Sequence, residues 1–216
     1  MRISTLAELG PREEVAIIIN VNTRHLATLA LLSALKHAHT TTLLIDCEST
    51  DGSLDWFWRA CEEESLPIGL LAGGHIAEFG RIAERHPGLK MHIDHLGRTG
   101  GGAGGTDDTA FADLPQMLAL ARLPNVAVKL SGAPSYSSAP YPYRNIHPYI
   151  RQIFDAFGPQ RSFWGTDITR MPCSYRQCVT MFTEEMPWLA GNDCDLVMGR
   201  AVCEWLGWNP PGLARS

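Results

Sequence analysis

The feature that most constrains the fold is a regular alternation of two kinds of segment along the chain. Six short runs rich in apolar and β-branched residues have the character of buried strands, and amphipathic stretches of helical length separate them. The predicted strands are residues 15–21, 42–46, 67–72, 89–94, 126–131 and 161–166. The predicted helices are residues 24–37, 54–64, 75–85, 113–121, 146–157, 175–186 and 195–206. Strand–helix repetition of this kind predicts a parallel α/β sheet with right-handed crossover connections.

Composition narrows the class of protein. The 18 Lys+Arg and 23 Asp+Glu residues give a net charge of −5 without a basic run, which argues against nucleic-acid binding. No apolar stretch is long enough to cross a bilayer, and no signal peptide is readable. The six cysteines form no C-x-x-C pair and are typical of reduced thiols. We therefore expect a cytoplasmic protein with a small-molecule substrate and no nucleic-acid or membrane partner. Self-association into a homo-oligomer stays open.

Polar side chains stand at the carboxyl ends of three predicted strands. His95 follows the strand 89–94, Lys129 and Ser131 close the strand 126–131, and Asp167 follows the strand 161–166. Because the carboxyl ends of parallel strands share one edge of a sheet, we expect these side chains to lie close together. A histidine and a carboxylate there suit a proton carrier, a general base or a metal ligand. The alternative, that they are structural histidine, turn and cap residues, carries equal weight.

Two loops follow these strand ends. Residues 97–108 contain six glycines, and residues 135–145 are rich in Ser, Pro and Tyr. No Lys-Ser/Thr pair follows the glycines, so a nucleotide-binding P-loop is excluded.

Strict alternation of side chains along the strand before the first loop would place His95 on the face of Ile93, opposite Asp94.

Three motifs around these residues resemble the later strands of the amidohydrolase superfamily. They lie at residues 86–97, 125–132 and 157–167, and they are most similar to the amidohydrolase-related branch that includes pyrone-dicarboxylate lactonase. The resemblance covers about residues 54–208 and implies a (β/α) barrel of the TIM type. The implied reaction is hydrolysis of a small carboxylated ester, lactone or amide.

The resemblance also implies a site. Asp167 would deprotonate the attacking water, and His95 would be the histidine of the sixth barrel strand. Lys129, Ser131 and Arg98 would lie near the carboxylate of the substrate. His95 and Asp167 would be the ligands of a divalent metal, zinc or manganese. Some lactonase-like members work without a metal, so the resemblance leaves the cofactor open.

The chain also departs from this family. The family opens with a His-x-His pair at the end of its first strand, and this chain has none in that place. His37 and His39 have the spacing, but they precede the predicted strand 42–46 and would emerge at the opposite end of the sheet. The predicted strand 67–72 lacks the histidine of metal-dependent members, and two ligands are fewer than a tight metal site uses. Six readable strands, where the full barrel has eight, predict an incomplete barrel or a substituted N-terminal part.

The front of the chain is different. Residues 15–22 and 43–53, with the helix between them, resemble the opening of family 2 glycosyltransferases, which would place Asp46 and Asp51 at a nucleotide-sugar. Both aspartates are equally typical of turns and caps. We therefore expect a boundary between residues 1–53 and residues 54–216. The leading hypothesis is a hydrolase, and the alternatives are a non-catalytic truncated or fused relic and a nucleotide-sugar-binding fragment.

Overall fold

The computed structural model describes residues 14–20, 40–46, 52–99 and 105–208. Each of the six predicted strands is present, with bounds β1 Glu14–Asn20, β2 Thr40–Asp46, β3 Ile68–Leu70, β4 Met91–Ile93, β5 Val126–Lys129 and β6 Ser162–Phe163. The described helices are α1 Ser53–Glu63, α2 Ile76–Arg85, α3 Asp107–Ala110, α4 Leu114–Ala119, α5 His147–Phe157, α6 Tyr175–Thr183, α7 Gly191–Asp195 and α8 Ala201–Leu206. The predicted helix 24–37, the pair His37 and His39, and Asp51 lie outside the described residues. Within the described part, no helix is long and apolar enough to cross a membrane.

The chain divides into two compact units, residues 1–61 and residues 62–216. In the first unit, β1 pairs with β2 in parallel, from Glu14 opposite Thr40 to Asn20 opposite Asp46. In the second unit, β3, β4, β5 and β6 form a parallel sheet in chain order. Parallel strands that neighbour one another in chain order, with helical crossovers between them, are the arrangement of a (β/α) barrel.

Both faces of the four-stranded sheet are covered. The register places Ile93 opposite Val128 and Val128 opposite Ser162, and this row of side chains is fully buried. On the other face, Ala127 and Phe163 form a buried cluster with residues of the C-terminal helices. Burial on both faces explains why the strands read as continuous apolar runs rather than as alternating ones.

The C-terminal helix is interrupted, whereas the sequence predicted one continuous helix over residues 195–206. A π-helical turn at Leu196–Arg200 separates α7 from α8, and Gly199 has a non-helical backbone. The interruption leaves the Val197 carbonyl oxygen free to accept a hydrogen bond of 2.8 Å from the Trp164 amide. The segment that follows β6 is therefore held by the backbone of this turn.

Asn125, which directly precedes β5, connects helix α2 to the sheet. Its side-chain Nδ2 donates to three carbonyl oxygens at 3.0, 2.9 and 3.1 Å, those of Ala83, His86 and Leu89. Asn125 is buried, so water does not replace these bonds. The side chain thus satisfies carbonyl groups at the C-terminal end of α2 and in the turn that enters β4.

We expect Asn125→Ala to lower the free energy of unfolding by about 1–3 kcal/mol, because it removes the side-chain donor from the buried carbonyl groups of Ala83 and Leu89. Urea unfolding at neutral pH measures this change. The exposed Asn192, on helix α7, provides the matched control Asn192→Ala, for which we expect a change of less than about 0.5 kcal/mol. Equal stability of the two variants would contradict this role for Asn125.

Candidate active site

The chain turns sharply after β4 and again after β6. His95 and Leu96 have φ values of 53° and 58°, and Asp167 has a φ of 57°. Residues other than glycine adopt this left-handed backbone conformation at an energetic cost, and such residues are concentrated at functional sites. Because β4 ends at Ile93, the strand alternation does not extend to His95, and the left-handed turn sets the direction of its side chain.

The structure brings three of the sequence-predicted residues together. His95 Nε2 lies 3.5 Å from Asp167 Oδ2, and His95 Nδ1 lies 2.8 Å from Ser131 Oγ. Arg170, three residues after Asp167, donates from Nη1 to Asp167 Oδ2 at 3.1 Å. The side chains of His95 and Asp167 are 13% and 20% exposed, so solvent reaches the pair without surrounding it. In space, the imidazole of His95 therefore lies between the hydroxyl of Ser131 and the carboxylate of Asp167.

The His95 imidazole is neutral at neutral pH. Burial lowers the pKa of His95 below its ordinary value; Asp167 and Asp94 oppose this effect, and the nearby charges of Lys129 and Arg170 reinforce it. The Asp167 carboxylate facing Nε2 favours the tautomer with its proton on Nε2. The Ser131 hydroxyl then donates to Nδ1. The pair therefore presents one N–H donor and one carboxylate base to the same space.

A second charged cluster lies beside the first. Lys129 Nζ is 3.2 Å from Asp94 Oδ1, and His92 Nε2 is 3.5 Å from the same oxygen. Burial is also the largest cause of a lowered pKa at His92. A Cβ added at Gly165 would lie 3.1 Å from the Ser131 Cβ and 3.4 Å from the Lys129 Cε. The absence of a side chain at Gly165 therefore lets the Ser131 and Lys129 side chains pack closely against the backbone after β6. Lys129 is thus placed at the site, with Asp94 as its counter-ion.

Arg98, which the family resemblance places near the substrate carboxylate, is surrounded by protein acceptors. Its guanidinium is buried and donates to the carbonyl oxygens of Leu96 and Ala110 at 2.9 and 3.0 Å. It also forms an ion pair with Asp113. These contacts anchor the turn that carries His95 to the α3–α4 segment.

The described residues do not fit a complete divalent metal site. Among them, no group of three or more His, Cys, Asp or Glu side chains is placed to hold a metal ion. The predicted ligands His95 and Asp167 number only two, and Ser131 already occupies His95 Nδ1. The cations Lys129 and Arg170 also lie close enough to disfavour the protonated form of His95, and they would oppose a metal cation in the same way. A tight site needs three or four ligands.

Room for a small molecule lies between the loops that follow β5 and β6. A cavity of about 570 Å³ is lined by residues of both loops, among them Ser137, Tyr141, Tyr143 and Cys173, and by Gln177 of α6. A volume of this size accommodates a small organic substrate.

The sequence matches the family described as Amidohydrolase over residues 26–210. The chain belongs to this family. The predicted family is thereby confirmed, and the match includes much of the segment that resembles a glycosyltransferase opening. That second resemblance receives no support.

One curated relative is the L-fucono-1,5-lactonase of Burkholderia ambifaria, which is 33% identical to this amidohydrolase-family chain over 99 residues. The matched region is 45% of this chain and 32% of the lactonase. The match thus spans about a third of that relative's length.

Solved structures show the fold. An amidohydrolase of Burkholderia multivorans with bound zinc has a TM-score of 0.64 and 17% identity, covering 90% of this chain and 83% of that one. A structure assigned to the 2-pyrone-4,6-dicarboxylic acid hydrolases, from Pseudomonas putida, has a TM-score of 0.52 and 22% identity, covering 72% of this chain and 56% of that one. These neighbours confirm the predicted parallel α/β fold of the TIM-barrel type.

Sequence reasoning missed two residues of the site. Asp94 directly precedes His95, and in the sequence analysis it was placed on the opposite strand face and not assigned to the site. Arg170 carried one readable signal, its spacing of three residues from Asp167, which places both side chains on one side of a single helical turn.

We expect the stability of the protein to fall as the pH drops below about 6.5, the ordinary pKa of histidine. Burial lowers the pKa of His92, His95 and His147 in the folded chain. The unfolded chain therefore binds more protons than the folded chain below about pH 6.5, and the stabilisation present above this pH is progressively lost. Urea unfolding between about pH 8 and pH 5.5 measures the slope.

His92→Gln removes one of these groups, so its stability should depend less steeply on pH than that of the wild type. The exposed His75 provides the matched control His75→Gln, for which the slope should not change. A wild-type stability that rises on acidification would contradict the account.

Proposed function

We propose that the protein hydrolyses a small carboxylated ester, lactone or amide, with Asp167 as the general base and His95 as the hydrogen-bond donor to the carbonyl. One observation carries the proposal, the 3.5 Å approach of His95 Nε2 to Asp167 Oδ2 with Ser131 on the far side of the imidazole. Membership of the amidohydrolase family and the likeness to a lactonase support the reaction class.

Asp167 activates the water in this mechanism. Arg170 Nη1 occupies Asp167 Oδ2 and fixes the plane of the carboxylate, which leaves Oδ1 to accept a hydrogen bond from a water molecule. As the water oxygen forms a bond to the carbonyl carbon, the proton passes to Asp167. A carboxylate held in position in this way avoids the entropy cost of orienting the base during the reaction.

His95 stabilises the charge that develops on the substrate. Its Nε2–H donates to the carbonyl oxygen, which becomes an oxyanion when the water adds. Ser131, as donor to Nδ1, keeps the proton on Nε2, and burial keeps the imidazole neutral before reaction. The tetrahedral intermediate then collapses, the bond from carbon to the leaving group breaks, and Asp167 returns its proton to that group. A lactone yields one hydroxy acid.

Lys129 is proposed as a substrate contact. Its side chain is 37% exposed, and Asp94 holds the ammonium group beside Ser131. A zinc or manganese ion is not required by these steps. Among the described residues, only His95 and Asp167 were predicted as ligands of such an ion, and no third ligand lies with them.

We expect Asp167→Asn to lower hydrolysis by about 10²–10⁴-fold, because an amide cannot accept the proton of the water. The change preserves size and removes only a partly exposed ion pair, so the thermal midpoint should shift by no more than about 3 °C. Turnover of a panel of lactones and esters, with and without a carboxylate, measures the effect.

Asp155→Asn is the matched control, since Asp155 is exposed on α5 and pairs only with Arg151 among the described residues. We expect it to retain full turnover. The panel is repeated after treatment with a chelator, and we expect hydrolysis to survive. Undiminished turnover in Asp167→Asn would remove Asp167 from the mechanism. Loss on chelation that zinc restores would show that a metal participates.

A further inference from the structure

Two cysteine thiols lie in contact beside the cavity between the loops that follow β5 and β6. Cys173, in the loop after β6, lines the cavity and is partly exposed, whereas Cys178, in α6, is only 2% exposed. Their Sγ atoms are 3.5 Å apart, and both thiols are free. The proposed hydrolysis uses neither sulfur. We refer to the side chains of Cys173 and Cys178 as the thiol pair.

The first turn of α6 holds the thiol pair in place. Ser174 is the N-cap of the helix: its Oγ accepts a hydrogen bond from the Gln177 amide, and Gln177 Oε1 accepts one from the Ser174 amide. Cys173 therefore directly precedes the cap, and Cys178 is the fourth residue of the helix. Side chains at these two positions commonly pack together as a hydrophobic staple. The contact between the sulfur atoms thus belongs to an ordered helix start.

The two thiols differ in what can reach them. Cys173 lines the cavity and lies next to a helix N-terminus, where backbone dipoles favour a negative charge. Burial raises the pKa of Cys178 to about 12, so this thiol is protonated at neutral pH. Tyr143 also lines the cavity, where burial and a hydrogen bond with Cys173 raise the pKa of its hydroxyl. A reagent that enters the cavity therefore meets Cys173 first.

We propose that the thiol pair is an oxidation site for hydrogen peroxide and that it closes to a disulfide. The Cys173 sulfur attacks one peroxide oxygen as the O–O bond breaks, which gives a sulfenic acid and releases water. The Cys178 sulfur then displaces the sulfenic hydroxyl group, forms the S–S bond and releases a second water. The two thiols lose two electrons and two protons, and the peroxide gains them.

The thiol pair is placed so that closure acts on the loop of the candidate active site. Asp167 and Arg170 precede Cys173 on the loop after β6. The Cys178 carbonyl oxygen accepts a hydrogen bond of 3.4 Å from Trp164 Nε1, and Trp164 directly follows β6. The disulfide would therefore link the far end of this loop to a helix that already contacts its beginning.

Peptide mapping after oxidation tests the proposal. The reduced protein is treated with equimolar hydrogen peroxide at neutral pH, its remaining thiols are alkylated, and it is digested with trypsin. Cleavage after Arg176 separates Cys173 from Cys178, so their two peptides stay joined only if a disulfide connects them. We expect the joined peptides to be the main oxidised product, to weigh about 2 Da less than the two free peptides together, and to separate on reduction.

Cysteine variants assign the two roles. In Cys178→Ser the sulfenic acid has no second thiol to react with, so a dimedone adduct should form at Cys173. In Cys173→Ser the buried Cys178 should be oxidised at least about tenfold more slowly than Cys173 is in the wild type. Cys194 is partly exposed and shares the tryptic peptide of Cys178, so Cys194→Ser is the matched control and should retain the joined peptides. Thermal unfolding of each variant checks that it folds.

The selectivity must come from the fold. In the native protein Cys173 should be oxidised at least about tenfold faster than Cys194, and in about 6 M urea the two rates should become similar. Absence of the joined peptides, equal oxidation of Cys173 and Cys194 in the native protein, or selectivity that survives urea would each overturn the oxidation site and leave only a packing contact. Asp167→Asn should form the joined peptides as fast as the wild type, so the outcome is separable from that of the proposed hydrolysis.

Discussion

The left-handed turns at His95 and Asp167 hold the two halves of the candidate site against each other. β5 lies between β4 and β6, so the ends of these two strands are separated by two strand spacings, roughly 10 Å. Straight continuations of β4 and β6 would keep their side chains apart. The turns bring both side chains together beyond the end of β5, where Ser131 Oγ lies 2.8 Å from His95 Nδ1. The reactive geometry thus depends on backbone conformations that the surrounding contacts must enforce.

The contacts that enforce them are polar and mostly buried. Arg98 binds the carbonyl oxygen of Leu96 within the first turn and connects it to the α3–α4 segment. After β6, the Trp164 amide is held by the π-helical turn, and Arg170 closes the second turn by donating to Asp167. Each anchor compensates part of the cost of a left-handed residue. The charges of the site, Asp94 and Asp167 against Lys129 and Arg170, are balanced in number, and burial is the main cause that lowers the pKa of His95 and keeps the imidazole available as a donor.

The sequence predicted the elements well because burial on both faces of a parallel sheet leaves a clear apolar signature. It also predicted that His95, Ser131 and Asp167 would meet, since carboxyl ends of parallel strands share an edge. Alternation placed His95 on the face of Ile93, but alternation applies only within a strand, and β4 ends two residues before His95. The break at Gly199 was missed for a related reason: apolar periodicity is similar in a continuous helix and in one with a π-helical turn.

Residue roles were harder to predict than positions. Arg98 was expected near the substrate carboxylate because of the family resemblance, and the carbonyl groups and the carboxylate that surround it become visible only in three dimensions.

The central claim is that His95 and Asp167 act as one unit, and a double-mutant cycle on kcat/KM tests it most directly. The wild type, His95→Gln, Asp167→Asn and the double variant are compared on one carboxylated lactone. If the pair acts as a unit, the double variant should be slower than the slower single variant by no more than about threefold. Losses that multiply, so that the double variant shows the product of both single effects, would mean that the two residues act independently and would contradict the account.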